Sequence, residues 1–173
     1  MELIASKERL DIYKAFQNKV TSFKFKIFLL KELPSAFFSG VRVKSLNNTT
    51  CVTTVPFKWF SQNPFHSTYF ACQAMAAELS TGLPAIMAIE NRNPRISMLV
   101  VDMEATFTKK AVAITSFYCE DVTTIVNAVE KAIATKEGQT VKAKVVGKDD
   151  DGNEISTFSF TWSFKETKKR IKN

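Results

Sequence analysis

The sequence predicts an α+β protein in which an antiparallel sheet surrounds one buried helix. Two observations support this. Residues 64–81 carry a single charge, at Glu78, if His66 is neutral, and a helix that is apolar or small nearly all round is a buried one. Short strands with tight turns fill much of the remaining chain, and sequential strands joined in this way form antiparallel sheets.

The composition predicts one globular domain. The chain has 173 residues, of which 45% are hydrophobic, with five glycines and five prolines. Its three scattered cysteines favour a reducing compartment, so we expect a cytoplasmic protein. With one histidine, a zinc site of ordinary ligand spacing is not available, and no cofactor is expected. Neither a signal peptide nor an apolar stretch of about 20 residues, as a membrane span requires, is evident.

The net charge of +7 is partly concentrated in residues 166–173, which we expect to form a basic, disordered tail. Such charge could also attract the phosphates of a ligand or of nucleic acid. No nucleic-acid-binding motif accompanies it, so nucleic acid is not expected as a partner.

Residues 6–31 are predicted to form an amphipathic helix that Ser6 caps and Pro34 follows. This helix marks an N-terminal segment, residues 1–32. A basic amphipathic helix can lie on a membrane surface, but packing on its own domain is the favoured interpretation. Its apolar residues recur at steps of three and four: Leu10, Tyr13, Phe16, Val20, Phe23, Ile27 and Leu30.

A hairpin is predicted next, with strands at residues 38–46 and 49–57 around Asn47-Asn48, since asparagine tolerates positive φ. The buried helix follows over residues 64–81. Asn63 suits its cap and Pro64 its first turn, while Gly82 and Pro84 suit its exit.

The second half of the chain is predicted to contain five strands and one helix. The strands are residues 83–90, 95–108, 111–119, 140–146 and 154–164, and the helix is residues 121–135. In the second of these strands, alternation places Leu99, Val101, Met103, Ala105 and Phe107 on one face. The last strand alternates most regularly, through Phe158, Phe160, Trp162 and Phe164.

This order of elements resembles the hotdog superfamily over roughly residues 33–165. The resemblance is carried by Asn63-Pro64-Phe65 at the opening of the buried helix and by Glu78-x-x-x-Gly82 at its end. The closest branch is the one catalogued as a domain of unknown function beside the PaaI-like thioesterases. The hotdog fold, with a sheet wrapped around a long central helix, is therefore expected.

The resemblance implies a homodimer, or a dimer of dimers, whose sheets join edge to edge. It also implies a cleft between subunits, with an acyl chain in an apolar tunnel and a CoA or carrier-protein arm outside. In related thioesterases, amides at the start of the central helix polarise the thioester carbonyl, and a helical carboxylate activates water or attacks directly.

Thioester hydrolysis needs hydrogen-bond donors for the oxyanion and a base. The start of the helix, at His66–Thr68, is expected to supply the donors. Glu78 is the candidate base, because burial raises the pKa of a carboxyl; alternatively it pairs with a lysine or caps amides.

Three further polar residues are candidates with alternative roles. His66 is catalytic, or else exposed or bonded to backbone. Asn63 is catalytic or a helix cap, and Gln73 orients a water or bonds a strand carbonyl. The candidates for substrate binding are Ser67, Thr68, Phe65, Phe70 and Trp59.

Helix geometry separates the two main candidates within one subunit. His66 and Glu78 are twelve residues apart, or about 18 Å along a helix axis, so both could act only in a site completed by a partner subunit. PaaI-like enzymes carry a His-Gly-Gly turn at the position where this chain has His66-Ser67-Thr68. They also carry an aspartate in the helix, near where this chain has Gln73 and Met75. A hotdog protein that binds an acyl or lipid-like ligand without catalysis is therefore the alternative function.

Overall fold

The structure of the protein, a computed structural model, describes residues 6–167. Its helices are α1 (Lys7–Val20), α2 (Phe23–Glu32), α3 (Pro34–Ser39), α4 (Phe70–Ile89) and α5 (Val122–Thr135). A short 3-10 helix spans Trp59–Ser61. The strands are β1 (Arg42–Leu46), β2 (Cys51–Val55), β3 (Ile96–Phe107), β4 (Thr115–Cys119), β5 (Gln139–Lys148) and β6 (Glu154–Glu166).

The strands form one antiparallel sheet in the order β1-β2-β4-β5-β6-β3, with α4 packed on its inner face. The Thr53 hydroxyl donates to the carbonyl of Ala76 at 2.6 Å, and the Trp162 indole donates to the Thr81 hydroxyl at 2.9 Å. The predicted α+β architecture and the buried helix are therefore confirmed. The four predicted aromatic residues of β6 are all buried in the core against it.

The predicted bounds of the buried helix are wrong at both ends. Helix α4 begins at Phe70 because the Asn63 side chain accepts the N–H groups of Phe65 and Ser67 and folds residues 63–67 into a turn. It continues to Ile89, so residues 83–90 are not a strand. Gly82 lies inside the helix, where a Cβ atom would stand 3.1 Å from the Glu78 Oε1 atom and 3.5 Å from the Trp162 ring.

The predicted N-terminal helix is two helices, α1 and α2. The hydroxyls of Thr21 and Ser22 donate to carbonyls of the last turn of α1, and the chain changes direction there. Pro34 starts α3 instead of ending a helix, so β1 begins only at Arg42, after Gly40 takes a left-handed φ of 85°.

Strand β3 is confirmed, but the predicted assignment of its faces is wrong. Val100 lies opposite Trp162 and Asp102 lies opposite Thr161, so Val101 forms a bulge without a partner. The bulge reverses the alternation, so odd-numbered residues before it and after it lie on opposite faces of the sheet. Leu99 points to the outer face and is 65% exposed, while Met103 lies opposite buried Phe160. Strand β3 is also an edge of the sheet.

The other predicted elements are confirmed in kind. The first hairpin turns because the Asn47 Oδ1 atom accepts the N–H groups of Thr49 and Thr50, and neither Asn47 nor Asn48 has a positive φ. In the predicted tail, Glu166 ends β6, and residues 168–173 lie outside the described residues.

Arg9 of α1 caps the C-terminal end of α4. Its side chain is 7% exposed, and its guanidinium donates to the carbonyls of Glu90 and Ala88, each at 2.6 Å, and of Met87 at 3.2 Å. The last carbonyls of a helix lack intrahelical partners and carry its negative dipole end, which a cation stabilises. The N-terminal segment is thereby fastened to the core.

We expect Arg9→Ala to destabilise the fold by about 2–4 kcal/mol, because it strips three carbonyls of a charged donor. For a chain of this size this is a fall of roughly 10 °C in Tm. Arg9→Lys should recover only part of the loss, since one ammonium cannot reproduce the planar fork. Thermal unfolding followed by circular dichroism measures both, with Lys14→Ala on the exposed face of α1 as the control. Equal Tm values for Arg9→Ala and the control would contradict the proposed role.

Candidate functional site

The main candidate site is a cavity of about 610 Å³ at the start of α4. Three segments form it: the loop before α4, the first turn of that helix, and the connection from β3 to β4. Its lining residues are Asn63, Pro64, Phe65, Ser67, Thr68, Tyr69, Phe70, Gln73, Phe107, Thr108, Lys109, Lys110 and Ala111. The wall is mostly apolar, with a few polar groups at fixed positions, as in many small-molecule sites.

Unpaired backbone donors lie at this end of α4. No side chain caps the helix, and within residues 6–167 the N–H groups of Phe70 and Ala71 make no hydrogen bond. The prediction that the amides of His66–Thr68 serve as free donors is wrong, because all three are engaged: His66 and Ser67 with Asn63, and Thr68 with the Ala111 carbonyl at 2.7 Å. The helix dipole and the free N–H groups therefore favour negative charge at Phe70 and Ala71.

Asn63 organises the loop and does not cap α4. Its Oδ1 atom accepts from the N–H of Phe65 at 2.9 Å and from the N–H of Ser67 at 3.3 Å, and its amide nitrogen donates to the Ser67 hydroxyl at 3.1 Å. Ser67 is buried. These bonds shape the wall of the cavity and leave the Asn63 amide little capacity for a ligand.

Gln73 fixes the loop to the sheet. Its amide nitrogen donates to the Thr68 carbonyl at 3.2 Å, and its amide oxygen accepts from the buried Ser156 hydroxyl of β6 at 2.9 Å. Gln73 is 4% exposed, so its position is fixed on both sides. The neighbouring Thr68 hydroxyl is buried and has no hydrogen-bond partner within residues 6–167, although Thr68 lines the cavity.

Glu78 lies outside this cavity, in a second one of about 270 Å³. That cavity is bounded by the α2–α3 junction, including Leu33 and Ala36, and by Met75 and Leu79 of α4. Burial raises the pKa of the Glu78 carboxyl. Within residues 6–167 no lysine or arginine pairs with it and no side chain donates to it, so its charge is uncompensated in the single chain.

Besides Glu78, two predicted site residues do not line the cavity. His66 is exposed at the tip of the loop, with a φ of 56°, and its N–H donates to the Asn63 carbonyl. His66 therefore lies in the turn that Asn63 organises and not in the first turn of α4, where the sequence had placed it. Trp59 belongs to the 3-10 helix, is 74% exposed and contacts the Phe60 ring.

The structure thus brings together most of the predicted residues and adds a segment that the sequence did not indicate. Asn63, Phe65, Ser67, Thr68, Phe70 and Gln73 share one cavity. The added segment is residues 107–111, in which Lys110 donates from its Nζ atom to the Phe65 carbonyl at 3.2 Å. The only sequence signal for it was the short basic link, Lys109-Lys110, between two strands.

Two of the three cysteines are unsuited to act as nucleophiles. Cys51, Cys72 and Cys119 are free and buried. Burial raises the pKa of Cys119 to about 12 and also raises that of Cys51, which lies directly opposite on β2. A thiol reacts as its thiolate, so these two are inert at neutral pH.

Residues 6–167 contain neither a cluster of metal-ligand side chains nor a candidate membrane-spanning helix. No group of three or more His, Cys, Asp or Glu side chains there is arranged to hold a metal ion. No helix in that range has the length and apolar character needed to cross a membrane.

The chain matches one family model, described as a domain of unknown function (DUF4442), over residues 24–164. A search of curated proteins found no match. The matched range contains α4, the cavity and all of the sheet except the last two residues of β6, and it omits α1.

Solved structures share the fold at low sequence identity. A Pseudomonas aeruginosa protein of unknown function, described as a probable thioesterase, has a TM-score of 0.71 and 15% identity, covering 84% of this chain and 97% of its own. A Chlorobaculum tepidum protein of unknown function has a TM-score of 0.72 and 14% identity, with 87% and 97% covered. A Haemophilus influenzae thioesterase has a TM-score of 0.60 and 8% identity, with 87% and 95% covered. The expected hotdog fold is thereby confirmed.

Proposed function

The chain belongs to the DUF4442 family, and from that premise we propose that it is an acyl-CoA thioesterase-like hydrolase whose site lies between two copies of the chain. The observation that carries the proposal is a pair of free N–H groups in the first turn of α4: that of Phe70, which lines an apolar cavity, and that of Ala71, the next residue along the helix. Donors fixed in this way stabilise the oxyanion that forms when a thioester carbonyl is attacked.

The walls of the cavity suit an acyl thioester. Phe65, Phe70 and Phe107 offer apolar surface for the acyl part. Lys109 and Lys110 lie at its rim and carry the charge that attracts phosphate groups, such as those of CoA. The three thiols are buried and free, which suits a cytoplasmic protein.

A second copy would complete the site. Strand β3 is paired with β6 on one side, and no strand within residues 6–167 pairs with its other edge. An edge strand of twelve residues is a ready template for another strand. Pairing of β3 with β3 of a second copy would join the two sheets. We propose that this dimer brings Glu78 of each subunit to the cavity of the other.

The proposed reaction uses water as the nucleophile and no cofactor. Glu78 takes a proton from the water while the water oxygen bonds to the thioester carbon. The oxyanion that forms accepts hydrogen bonds from the N–H groups of Phe70 and Ala71. When the oxyanion collapses, the carbon–sulfur bond breaks and the thiolate takes the proton from Glu78. The products are a carboxylic acid and a free thiol.

A specific observation supports the alternative, a binding protein without catalysis. Within one chain Glu78 opens to a different cavity from the one that Phe70 lines at the start of α4. If no second copy joins them, the larger cavity offers apolar walls and donors but no base.

The proposal is tested by incubating the full chain with CoA thioesters of increasing acyl length and measuring free thiol. We expect release well above the rate without protein, with an optimum chain length, and a molecular mass in solution of at least twice 19.5 kDa. A monomeric mass, no thiol release at any acyl chain length and binding of the intact thioester to the protein would together favour the binding protein.

A further inference from the structure

Helix α2 has two apolar faces, of which only one is buried. Phe25 and Leu29 pack into the core. On the opposite side of the helix, Phe23, Ile27 and Leu30 are 72%, 55% and 44% exposed. At about 100° per residue these three form a single stripe along the outside of the helix. A surface helix ordinarily places polar residues there.

Lysines border this stripe on both sides. Helical geometry places Lys24 and Lys31 along one border and Lys26 along the other. All three are exposed, and the one acidic residue of α2 is Glu32 at its end, which pairs with Lys31, so the helix keeps a net positive charge. An apolar stripe with cationic borders fits the boundary of an anionic lipid layer, where the stripe enters the acyl region and the lysines reach the headgroups.

The position of α2 leaves this face free in the dimer proposed above. Phe25, Lys26 and Leu29 lie beside Arg42 and Val43 of β1, and β1 and β3 are the opposite edges of the sheet. A dimer joined through β3 therefore does not require the outer face of α2.

A second copy of the chain fits this face less well than a lipid layer does. In a symmetric contact the same patch meets itself, so Lys24, Lys26 and Lys31 would approach the same lysines of the other copy. Like charges brought together in this way oppose association. Glu32 lies near Lys31, with its Oε1 atom 3.8 Å from the Lys31 Nζ atom, but among residues 6–167 neither Lys24 nor Lys26 has an ion-pair partner.

We infer that α2 binds the protein to an anionic lipid surface through Phe23, Ile27 and Leu30, with its lysines contacting the headgroups. The predicted amphipathic helix thus uses both of the alternatives considered for it: one face packs on the domain, and the other is available to lipid. This inference does not depend on thioesterase activity.

Vesicle co-sedimentation of the full chain tests the inference. We expect binding to vesicles of phosphatidylcholine and phosphatidylglycerol to be at least tenfold tighter than to phosphatidylcholine alone, and to weaken as salt is raised. Phe23→Gln/Ile27→Gln/Leu30→Gln should bind at least tenfold more weakly. Lys24→Gln/Lys26→Gln/Lys31→Gln should do the same, since each lysine near an anionic surface contributes about fivefold.

The matched control is Val112→Gln/Ile114→Gln, which removes apolar residues that are 59% and 46% exposed on the β3–β4 connection. It should bind vesicles as the wild type does. Circular dichroism checks that each variant is folded. If the apolar variant does not fold, the lysine variant decides the test. Absence of wild-type binding, or equal binding by wild type and both α2 variants, would overturn the inference. A fall in molecular mass of the apolar variant without lipid would overturn it in favour of self-association.

Discussion

Replacing Glu78 with glutamine is expected to reduce thioester hydrolysis by at least about a hundredfold, because the amide cannot accept the proton of the attacking water. The substitution keeps the size of the side chain, so the cavity beside Met75 and Leu79 should be unchanged. Initial rates of thiol release measure the effect. Glu137→Gln, at an exposed carboxylate with no ion pair among the described residues, is the control.

The pH dependence of the wild type should follow the same carboxyl. Burial raises the pKa of Glu78, and a base acts only when it is deprotonated. The rate should therefore fall as the pH is lowered, and the fall should begin at a higher pH than an ordinary carboxyl would give. A fall that begins only at the pH of an ordinary carboxyl would contradict the assignment of the buried Glu78 as the base.

The same substitution should stabilise the fold at neutral pH. A carboxyl whose pKa is raised in the folded state binds its proton more tightly there than in the unfolded chain. Its contribution to stability is greatest below the unfolded pKa and is lost as the pH rises through the folded one. Glutamine carries no charge to bury, so the Tm of Glu78→Gln should be higher than that of the wild type at neutral pH. In acid the two Tm values should be equal. A lower Tm at neutral pH would show that the ionised carboxylate has a stabilising partner.

The periodicity of apolar residues was sufficient to predict the helices and strands that a local burial pattern determines. Strand β6 alternates through Phe158 and Phe160 because one face packs on α4, and α5 buries Ile125 and Val129 at helical spacing. These patterns express burial directly, so the sequence predicted both elements and the architecture.

The bounds of α4 depend on contacts that local patterns do not contain. Asn63 has the sequence signature of a helix cap, but its hydrogen bonds close a turn instead. Gly82 and Pro84 have the signature of a helix exit, but Gly82 is buried against Glu78 and the Trp162 ring of β6. Eighty residues separate Gly82 from that ring, so no local pattern reports the contact.

The candidate site also contains one part that local sequence predicted and one part that depends on distant contacts. Residues 63–73 are contiguous, and the sequence grouped most of its cavity-lining members correctly. Residues 107–111 reach the cavity because β3 pairs with β6, and the Thr108 N–H there donates to the Ile155 carbonyl. That placement follows from strand order, which alternation alone does not predict.

The role of the helix start can be tested by replacing Phe70 with proline. Phe70 is the first residue of α4, where proline is well tolerated. Tyr69 has φ −59° and ψ 137°, the extended conformation that a residue before proline prefers. The substitution therefore deletes one N–H and leaves the backbone in place. Loss of one oxyanion donor should lower kcat by about a hundredfold to a thousandfold.

Phe70→Ala separates the N–H from the ring, which contacts Tyr69 and Phe107. It keeps the donor, so its kcat should exceed that of Phe70→Pro by at least about tenfold, while loss of apolar contact raises KM. Equal kcat values for the two variants would mean that the ring, and not the amide, matters for the reaction.

Mixing the two inactive variants tests whether the site is shared between subunits. In a dimer of one Glu78→Gln chain and one Phe70→Pro chain, one site combines an intact Glu78 with an intact helix start, and the other site carries both defects. With free exchange of subunits in an equal mixture, activity should return to about a quarter of the wild-type level. A site contained in one chain would give no recovery, because every chain in the mixture would then hold a defective site.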